Sequence, residues 1–155
     1  MIAVLLSASI RRWRKSFVGN LLNISTATEW IQLLAVEQGL ADDTVFALQL
    51  CLEELMSNIV RHGERGGWSP DSGAQTMVGC RIDIELAIDD RNVFLTIEDD
   101  AAPFNVVAVP GAVIDMPLSA VDPGGLGIGL VKSFASHLSY ERAGLGNRVI
   151  VEFLR

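Results

Sequence analysis

Glu54 and Asn58 place a carboxylate and an amide four residues apart within an apolar stretch of the chain. If the stretch from Thr44 to Gly63 is helical, a step of four residues returns to nearly the same face, so both side chains point the same way. They fall just off the edge of the apolar stripe, where a polar group loses water on folding and needs a partner. A bound metal–ligand complex would supply that partner. Many solvated helix faces carry the same spacing, so this pair alone does not establish a site.

The surrounding sequence predicts one long helix that positions this pair. Asp42 or Asp43 can cap its start, and Gly63 can adopt the left-handed conformation that follows a helix end. About 20 residues at 1.5 Å each give a length of roughly 30 Å, enough to cross a small domain. Five apolar side chains fall on one stripe of this helix. They are Leu48, Cys51, Leu52, Leu55 and Ile59.

Two further stretches carry residues typical of ligand sites. Asp99 to Asn105 reads DDAAPFN, and Gly124 to Leu130 reads GGLGIGL. The second stretch precedes a predicted helix, so its backbone N–H groups and the positive helix end could cradle phosphates. It has neither the spacing of a P-loop nor the strand–GxGxxG–helix context of a dinucleotide site. A glycine-rich segment by itself is equally typical of a flexible turn.

The composition indicates a globular, acidic protein. The 155 residues are 50% hydrophobic and 20% charged, with 19 acidic and 12 basic side chains and a net charge of −7. Residues 1–15 hold four of the basic residues, so the remainder has 8 basic and 19 acidic residues, a difference of −11. Because nucleic-acid phosphates need basic partners, we expect no direct nucleic-acid partner.

We interpret residues 1–15 as a basic N-terminal extension and residues 16–155 as a single domain. The opening MIAVLLSASI is too short to span a membrane, and its charges follow the apolar run, which is the wrong order for a secretory signal. Cys51 and Cys80 make neither a disulfide framework nor a metal cluster. We expect a cytoplasmic protein with no membrane span.

The first half of the domain predicts a strand and two helices. We expect a first strand over residues 16–24 and a helix from Ala27 to Gln38 that begins with a capping box between Thr26 and Glu29. The long helix described above follows. Residues 64–79 are rich in glycine and read as a flexible loop.

The second half predicts mainly strands. Alternating apolar residues indicate a hairpin of two strands over residues 82–88 and 93–97. Residues 105–122 lack a stable period and read as a long loop, a functional lid or a disordered segment. A helix from Gly127 to His137 and a closing hairpin over residues 138–154 complete the chain. This order predicts an α+β sandwich, with helices layered on one face of a mixed or antiparallel sheet.

The three stretches, Glu54 to Gly63, Asp99 to Asn105 and Gly124 to Leu130, resemble in their order the GHKL ATPase superfamily of gyrase-type, chaperone, histidine-kinase and mismatch-repair ATP sites. Within it, the chain is most similar to the small bacterial anti-sigma-factor serine/threonine kinases. The resemblance extends over roughly residues 16–155. It implies a single-domain, two-layer α/β sandwich with a mixed, largely antiparallel sheet, and it implies ATP and Mg²⁺ as ligands.

The resemblance assigns roles on the long helix. Asn58 would give its side-chain oxygen to Mg²⁺, which prefers hard oxygen ligands. Glu54 would act as general base on the attacking hydroxyl. His62 would lie near the phosphates, although a histidine before a helix-ending glycine has an equally ordinary structural explanation.

The resemblance also assigns the base pocket. Asp99 would accept a hydrogen bond from the adenine amino group, with Asp100 as a neighbour because side chains alternate along a strand. The family has a glycine two residues later, where Ala101 adds a methyl group near the base. Asn147 stands where many relatives carry a threonine close to the nucleotide.

For the phosphates, the resemblance points to Gly125, Gly127 and Gly129. Lys132, one turn into the following helix, would reach a phosphate or remain solvated. Residues 105–122 would form the lid.

The resemblance implies a kinase that transfers the γ-phosphate of ATP to a serine or threonine on an anti-anti-sigma-type antagonist and holds a sigma factor in a competing complex. A homodimer is compatible with it. A detached histidine-kinase catalytic domain is disfavoured because neither His62 nor His137 lies on an upstream helical hairpin. A gyrase-like or chaperone ATPase is disfavoured because no transducing domain follows. The remaining alternative is a partner-switching binding module that uses nucleotide weakly or not at all, and Ala101 is the sequence feature that favours it.

Overall fold

A computed structural model describes residues 9–62, 79–110 and 123–155 of the chain. Three helices and five strands lie in these ranges. In chain order they are β1 (Arg11–Val18), α1 (Leu21–Glu37), α2 (Asp42–His62), β2 (Arg81–Ile88), β3 (Asn92–Asp99), α3 (Pro123–Phe134), β4 (His137–Ala143) and β5 (Gly146–Leu154). The predicted α+β fold is confirmed.

The strands form one sheet in the order β1-β2-β3-β5-β4, and every pairing between them is antiparallel. The described part of the sheet is therefore purely antiparallel rather than mixed. Ile84 pairs with Ile97, and Leu95 pairs with Val151. These alternate residues share one face and are buried with apolar residues of all three helices. The helices therefore cover a single face of the sheet, as the alternation predicted.

The opposite face of the sheet carries charged pairs. Glu98 on β3 lies between two arginines, at 2.5 Å from Arg14 and 2.6 Å from Arg148. Desolvation opposes ionisation of Glu98, but these hydrogen bonds hold the pKa of its carboxyl below the usual range. Arg12 pairs in the same way with Glu85 on β2 at 2.6 Å. Exposed pairs of this kind each contribute little to stability, but together they fix which side of the sheet faces solvent.

The start of the domain differs from the prediction. Residues 11–15, which we assigned to a basic extension, form most of β1, and the predicted strand over residues 16–24 is wrong beyond Val18. Only Phe17 of β1 is buried. An edge strand that pairs its basic side chains with acidic neighbours shows little apolar alternation, and for that reason the pattern missed it.

The first helix also begins earlier than predicted. Asn20 caps α1, since its side chain accepts a hydrogen bond from Asn23 N at 2.8 Å. The predicted capping box at Thr26 and Glu29 is wrong. Both residues lie inside the helix, where the Thr26 hydroxyl donates to Leu22 O at 3.3 Å.

The long helix is confirmed, with α2 running from Asp42 to His62 and four of the five stripe residues buried. Asp42 and Asp43 lie in its first turn, where negative charge favours a helix start. Gly63 and residues 64–78 of the predicted loop lie outside the described residues.

The two predicted hairpins are confirmed. Between β2 and β3, Asp89 Oδ1 accepts hydrogen bonds from Arg91 N and Asn92 N at 2.8 and 2.7 Å, an Asx-type turn. The predicted helix from Gly127 to His137 is displaced toward the N-terminus, because α3 begins at Pro123 and ends at Phe134. Residues 111–122 of the predicted lid lie outside the described residues.

Candidate functional site

A cavity lies between α2, the inner ends of β3 and β5, and the segment that follows β3. Three buried polar side chains from distant parts of the sequence, Asn58, Asp99 and Asn147, line it. Its lining consists of Leu55, Asn58, Ile59, His62, Ile97, Asp99, Ala101, Ala102, Phe104, Val106, Asn147 and Val149. Four of the predicted site residues, Asn58, His62, Asp99 and Ala101, therefore meet at one place.

Asn58 has an exposed fraction of only 5%. Its Nδ2 donates to Glu54 O at 2.8 Å, one turn earlier in α2. Among the described residues, its Oδ1 has no hydrogen-bond partner, so this oxygen is available to a ligand in the cavity. An amide oxygen is a ligand that Mg²⁺ accepts. The donor set at this position therefore fits the predicted metal role.

Glu54 lies where α3 packs on α2, and it is not among the residues that line the cavity. A Cβ built at Gly127 would overlap Glu54 Oε2 and come within 2.7 Å of Glu54 Cδ. Eight residues earlier on α2, the rings of Phe46 and Phe134 meet edge to face at 5.9 Å. The two helices thus run antiparallel, and the Glu54 carboxylate lies directly against the backbone of α3. Glu53, one residue earlier, is exposed.

Asp99 ends β3 on its buried side, with an exposed fraction of 7%. Its Oδ1 accepts hydrogen bonds from Ala101 N at 2.9 Å and from Asn147 Nδ2 at 2.8 Å. Burial raises the pKa of the Asp99 carboxyl, and these two hydrogen bonds oppose the increase. Asp100 points elsewhere, since its Oδ1 accepts from Arg81 N at 2.8 Å. The expected alternation between the two aspartates is therefore observed.

The cavity is partly open to solvent. About 30 Å³ inside it is accessible to the centre of a water molecule, which is enough for roughly two waters. Ala101 is buried in its wall with an exposed fraction of 2%. At the rim, the His62 ring stacks on Phe104 with centroids 5.9 Å apart and an angle of 20° between the planes. His62 therefore contacts the segment that follows β3.

The glycine-bearing stretch is helical, so the predicted phosphate loop is wrong as a loop. Because α3 begins at Pro123, Gly125 lies in its first turn, where backbone N–H groups have no partner within the helix. Gly127 and Gly129 lie further along, where the helix uses its own N–H groups. The contact with Glu54 gives Gly127 a different role from the predicted one.

Lys132 does not extend toward a phosphate position. Its Nζ donates to Val107 O at 2.9 Å and also to Val109 O. Together with the burial of Val106, these bonds hold the described start of the predicted lid against α3. These two carbonyls are the partners of Lys132 in the ligand-free chain, and its role at a phosphate stays a prediction.

Asn147, which the resemblance placed close to the nucleotide without assigning it a role, lines the cavity. Its exposed fraction is 4%, and its side chain bonds Asp99 on one side and Tyr140 and Arg142 on the other. The signal in the sequence was weak, because a glycine–asparagine pair at a hairpin reads as ordinary turn chemistry.

The described residues contain no group of three or more histidine, cysteine, aspartate or glutamate side chains arranged to hold a metal ion. A Mg²⁺ ion would therefore be held by Asn58 together with oxygen atoms of its ligand, which is how Mg²⁺ commonly binds beside phosphates. None of the described helices is long and apolar enough to cross a membrane.

Comparisons with known proteins agree with this geometry. The profile of the family described as histidine kinase-like ATPase domain matches residues 17–153. The chain is 29% identical over 121 residues to the serine/threonine-protein kinase BtrW of Bordetella bronchiseptica, an alignment that covers 76% of this chain and 78% of BtrW.

Among solved structures, the chain superposes on the RsbU and RsbW domains of Rv1364c from Mycobacterium tuberculosis with a TM-score of 0.61 and 14% identity. That match covers 93% of this chain and 32% of the solved protein, so the chain spans about a third of that protein's length. It shows a shared fold. The family match covers most of the sequence, and the chain therefore belongs to the histidine kinase-like ATPase domain family, as the GHKL resemblance predicted.

Proposed function

We propose that the chain is an ATP-dependent serine/threonine protein kinase that also acts as an anti-sigma-type regulatory protein. The observation that carries the proposal is the meeting of Asn58 and Asp99, 41 positions apart in the sequence, as buried polar residues on one cavity. Buried polar groups are costly unless they are satisfied, so such a pair indicates a polar ligand. Glu54, one turn before Asn58 on α2, supplies a carboxylate just outside the cavity lining.

The adenine end of ATP fits the Asp99 side of the cavity. Asp99 Oδ1 is committed to Asn147 and Ala101, whereas Oδ2 has no hydrogen-bond partner among the described residues. That oxygen can accept a hydrogen bond from the amino group of adenine. The apolar walls, which include Ile97 and Val149, suit the faces of a purine ring.

The phosphate end fits the α2–α3 side. Asn58 Oδ1 would bind the Mg²⁺ ion that accompanies the phosphates, and this ion would neutralise their charge. Gly125 in the first turn of α3 offers backbone N–H groups and the positive end of the helix dipole. Its helix contacts Glu54 through Gly127, so these phosphate-binding groups and the candidate base belong to one packed pair of helices.

Glu54 then acts on the acceptor hydroxyl. As the serine or threonine oxygen forms its bond to the γ-phosphorus, the bond from that phosphorus to the bridging oxygen of ADP breaks. The hydroxyl proton passes to Glu54. Positioning and electrostatics supply most of the rate of such transfers, and a general base typically adds about 10²–10⁴-fold.

The rim of the cavity would control the entry of a nucleotide. The groups at this rim are the Phe104 ring, which stacks on His62, and the segment that Lys132 holds. Lids of this kind exclude water from the reaction and hold the bound substrate until it reacts. Residues 105–122 are our proposed lid.

The partner assignment follows from the resemblance and from BtrW, which is a serine/threonine-protein kinase. We infer an anti-anti-sigma-type antagonist as the phosphate acceptor and a sigma factor as the competing partner. The acidic chain, with a net charge of −7, agrees with protein partners rather than nucleic acid.

A partner-binding module with little use of nucleotide is the second candidate. Ala101 favours it, because this residue fills the wall of an already small cavity where the family has glycine. Both candidates bind a protein partner, so nucleotide binding separates them.

The first test is thermal unfolding with ATP in the presence of Mg²⁺ or of a chelator. A ligand that binds only the native state at about 100 times its Kd adds roughly 2.7 kcal/mol of stability. We expect this gain only with Mg²⁺, and Asn58→Ala should remove the dependence on the ion. No stabilisation by any adenine nucleotide would remove the kinase proposal and leave the binding module.

The second test is calorimetry of ATP binding to Asp99→Asn, with Asp100→Asn as its matched control. The amide at position 99 keeps an acceptor but adds a competing donor, so ATP binding should weaken. Asp100 bonds Arg81 N outside the cavity, so its variant should bind as wild type does. Equal binding by Asp99→Asn and wild type would contradict the proposed base pocket.

A further inference from the structure

Asn147 is surrounded by donors on one side. Its Oδ1 accepts hydrogen bonds from Tyr140 Oη at 2.8 Å, from Arg142 Nη1 at 3.0 Å and, more weakly, from Phe104 N at 3.4 Å. A guanidinium and a backbone N–H can only donate. If the Asn147 amide were flipped, its nitrogen, itself a donor, would face at least two other donors.

The other side of the same amide is surrounded by acceptors. Asn147 Nδ2 donates to Asp99 Oδ1 at 2.8 Å and to Ala102 O at 3.0 Å, with Ala101 O at 3.5 Å. Chemistry on both sides therefore fixes the orientation of the Asn147 amide. As a consequence, Asp99 accepts a hydrogen bond from the Asn147 amide nitrogen.

Arg142 links this amide to the hairpin that carries it. Besides Asn147, its guanidinium donates to Ala101 O at 3.1 Å and to Leu145 O in the β4–β5 turn. Beneath it, Gly146 packs so closely on Asp99 O that any Cβ at position 146 would overlap that oxygen. The hairpin and the turn after β3 are thus joined through Arg142 and Asn147.

We propose that Arg142 is a positioning residue that sets base specificity, because it locks the Asn147 amide and so keeps Asp99 an acceptor for an amino-bearing base. This inference rests on the proposed function, since it concerns the nucleotide of the same cavity. Arg142 does not line the cavity, so it acts through Asn147.

The specificity follows from what loss of the Arg142 donor would do. Without it, the Asn147 oxygen loses its charged partner, and the amide is held less firmly as a donor to Asp99. The Asp99 carboxylate is then less stabilised, so the protonated acid is favoured. A protonated Asp99 is a poor acceptor for the amino group of adenine, and it can donate to a carbonyl oxygen at the same edge of a base.

The experiment compares ATP with inosine triphosphate, which has a carbonyl in place of the adenine amino group. Calorimetry on the full chain with Mg²⁺ gives both affinities for wild type, Arg142→Met, Arg142→Lys and Tyr140→Phe. Arg148→Met is the matched control, since Arg148 belongs to the same hairpin but pairs with Glu98 and Glu141 on the open face of the sheet.

We expect wild type to bind ATP more tightly than inosine triphosphate. In Arg142→Met the ratio of the two affinities should fall by about tenfold, which is the scale of one charge-assisted hydrogen bond. Arg142→Lys, which retains one donor, should recover part of it. Tyr140→Phe removes a single hydroxyl and should shift the preference in the same direction even if Arg142→Met folds poorly. Arg148→Met should keep the wild-type ratio.

The pH profile adds a second readout. The charged or titratable groups near Asp99 are Asp100 beside it, Arg142 from the hairpin, Cys80 before β2 and His62 on the cavity rim. As pH is lowered from neutral, ATP affinity of Arg142→Met should fall more steeply than that of wild type in the same buffers, because Asp99 takes up a proton more readily.

An unchanged ATP preference and pH profile in both Arg142→Met and Tyr140→Phe would overturn the inference. Equal loss of both nucleotides would also overturn it, because that result indicates a purely structural role. If wild type binds neither nucleotide, the proposed function itself fails, and this inference fails with it.

Discussion

The carboxylate of Glu54 lies against the backbone of Gly127, with no room for a side chain at position 127. Two of the three sequence motifs are therefore in direct contact through the packing of α3 on α2. This relationship explains a glycine in the interior of a helix, where glycine normally costs about 1 kcal/mol relative to alanine.

The contact predicts that Gly127→Ala gains less stability than the roughly 1 kcal/mol by which alanine is preferred over glycine in a helix. The new methyl group overlaps only the flexible end of the Glu54 side chain, which must swing away, so the lost contact offsets part of that gain. In a domain of this size, each 1 kcal/mol shifts the midpoint of thermal unfolding by about 2–4 °C. Calorimetric melting of Gly127→Ala measures the net effect.

The control for this prediction is Gly127→Ala combined with Glu54→Ala. Removing the overlapped carboxylate should restore the full gain from alanine, so the two substitutions should be non-additive. Additive effects, or a full gain of about 1 kcal/mol in Gly127→Ala alone, would show that the two residues are not packed in this way.

Asp99 is predicted to lower the stability of the ligand-free protein near neutral pH. Burial raises the pKa of its carboxyl, so the folded state binds the proton more tightly than the unfolded chain does. Its contribution to stability is therefore largest at low pH. That contribution is lost as pH rises from the usual value near 3.9 through the raised pKa.

Asp99→Asn carries no titrating group, so its stability relative to wild type should increase across that pH interval. Urea unfolding at about pH 4 and pH 7 measures the difference, and any cost of the added amide donor is the same at both values. A difference that stays constant or declines toward pH 7 would contradict the raised pKa.

Lys132 is predicted to restrain the start of the lid. Its two hydrogen bonds to backbone carbonyls hold Val107 and Val109. Lys132→Met keeps the aliphatic stem but removes both donors, so amide hydrogens over residues 105–110 should exchange faster while the sheet stays protected. Lys15→Met, on β1, is the matched control and should not change exchange in this segment.

Added ATP and Mg²⁺ should slow exchange over the same residues in wild type, because lid closure requires ordering. Hydrogen-exchange mass spectrometry of the peptide after Phe104 covers both comparisons. Equal exchange in wild type and Lys132→Met would show that the lysine does not hold this segment.

The elements with strong periodicity could be predicted from the sequence. Helix α2 has an unbroken apolar stripe, and β2 and β3 alternate cleanly around Asp89, so one local pattern specifies each of them. The convergence of Asn58 and Asp99 followed from the order of the motifs, and the structure brings both to the same cavity.

The elements that depend on tertiary partners could not be predicted in the same way. Strand β1 is positioned by ion pairs with acidic residues of β2. These partners are about 70 positions away, so no short stretch of sequence contains both. Lys132 meets carbonyls about 25 residues away, and Asn147 depends on Arg142, Tyr140 and Asp99 together. The glycines of α3 suggested a loop, because their helical contact with Glu54 lies 73 positions away in the sequence.

The central claim is that Glu54 is the general base of a protein kinase. Glu54→Gln keeps the size and most of the hydrogen bonding of the side chain, so Mg²⁺–ATP and the protein partner should still bind. Glu53→Gln is the matched control, because Glu53 is exposed one residue earlier and points about 100° away around the helix.

The most direct measurement is transfer of label from γ-labelled ATP to an anti-anti-sigma-type antagonist protein that the chain binds, at saturating ATP. Transfer by Glu54→Gln should fall by about two to four orders of magnitude with little change in ATP affinity, while Glu53→Gln transfers as wild type does. Wild-type transfer by Glu54→Gln would show that Glu54 is not the base, and wild-type protein that binds the partner without phosphorylating it would contradict the kinase account.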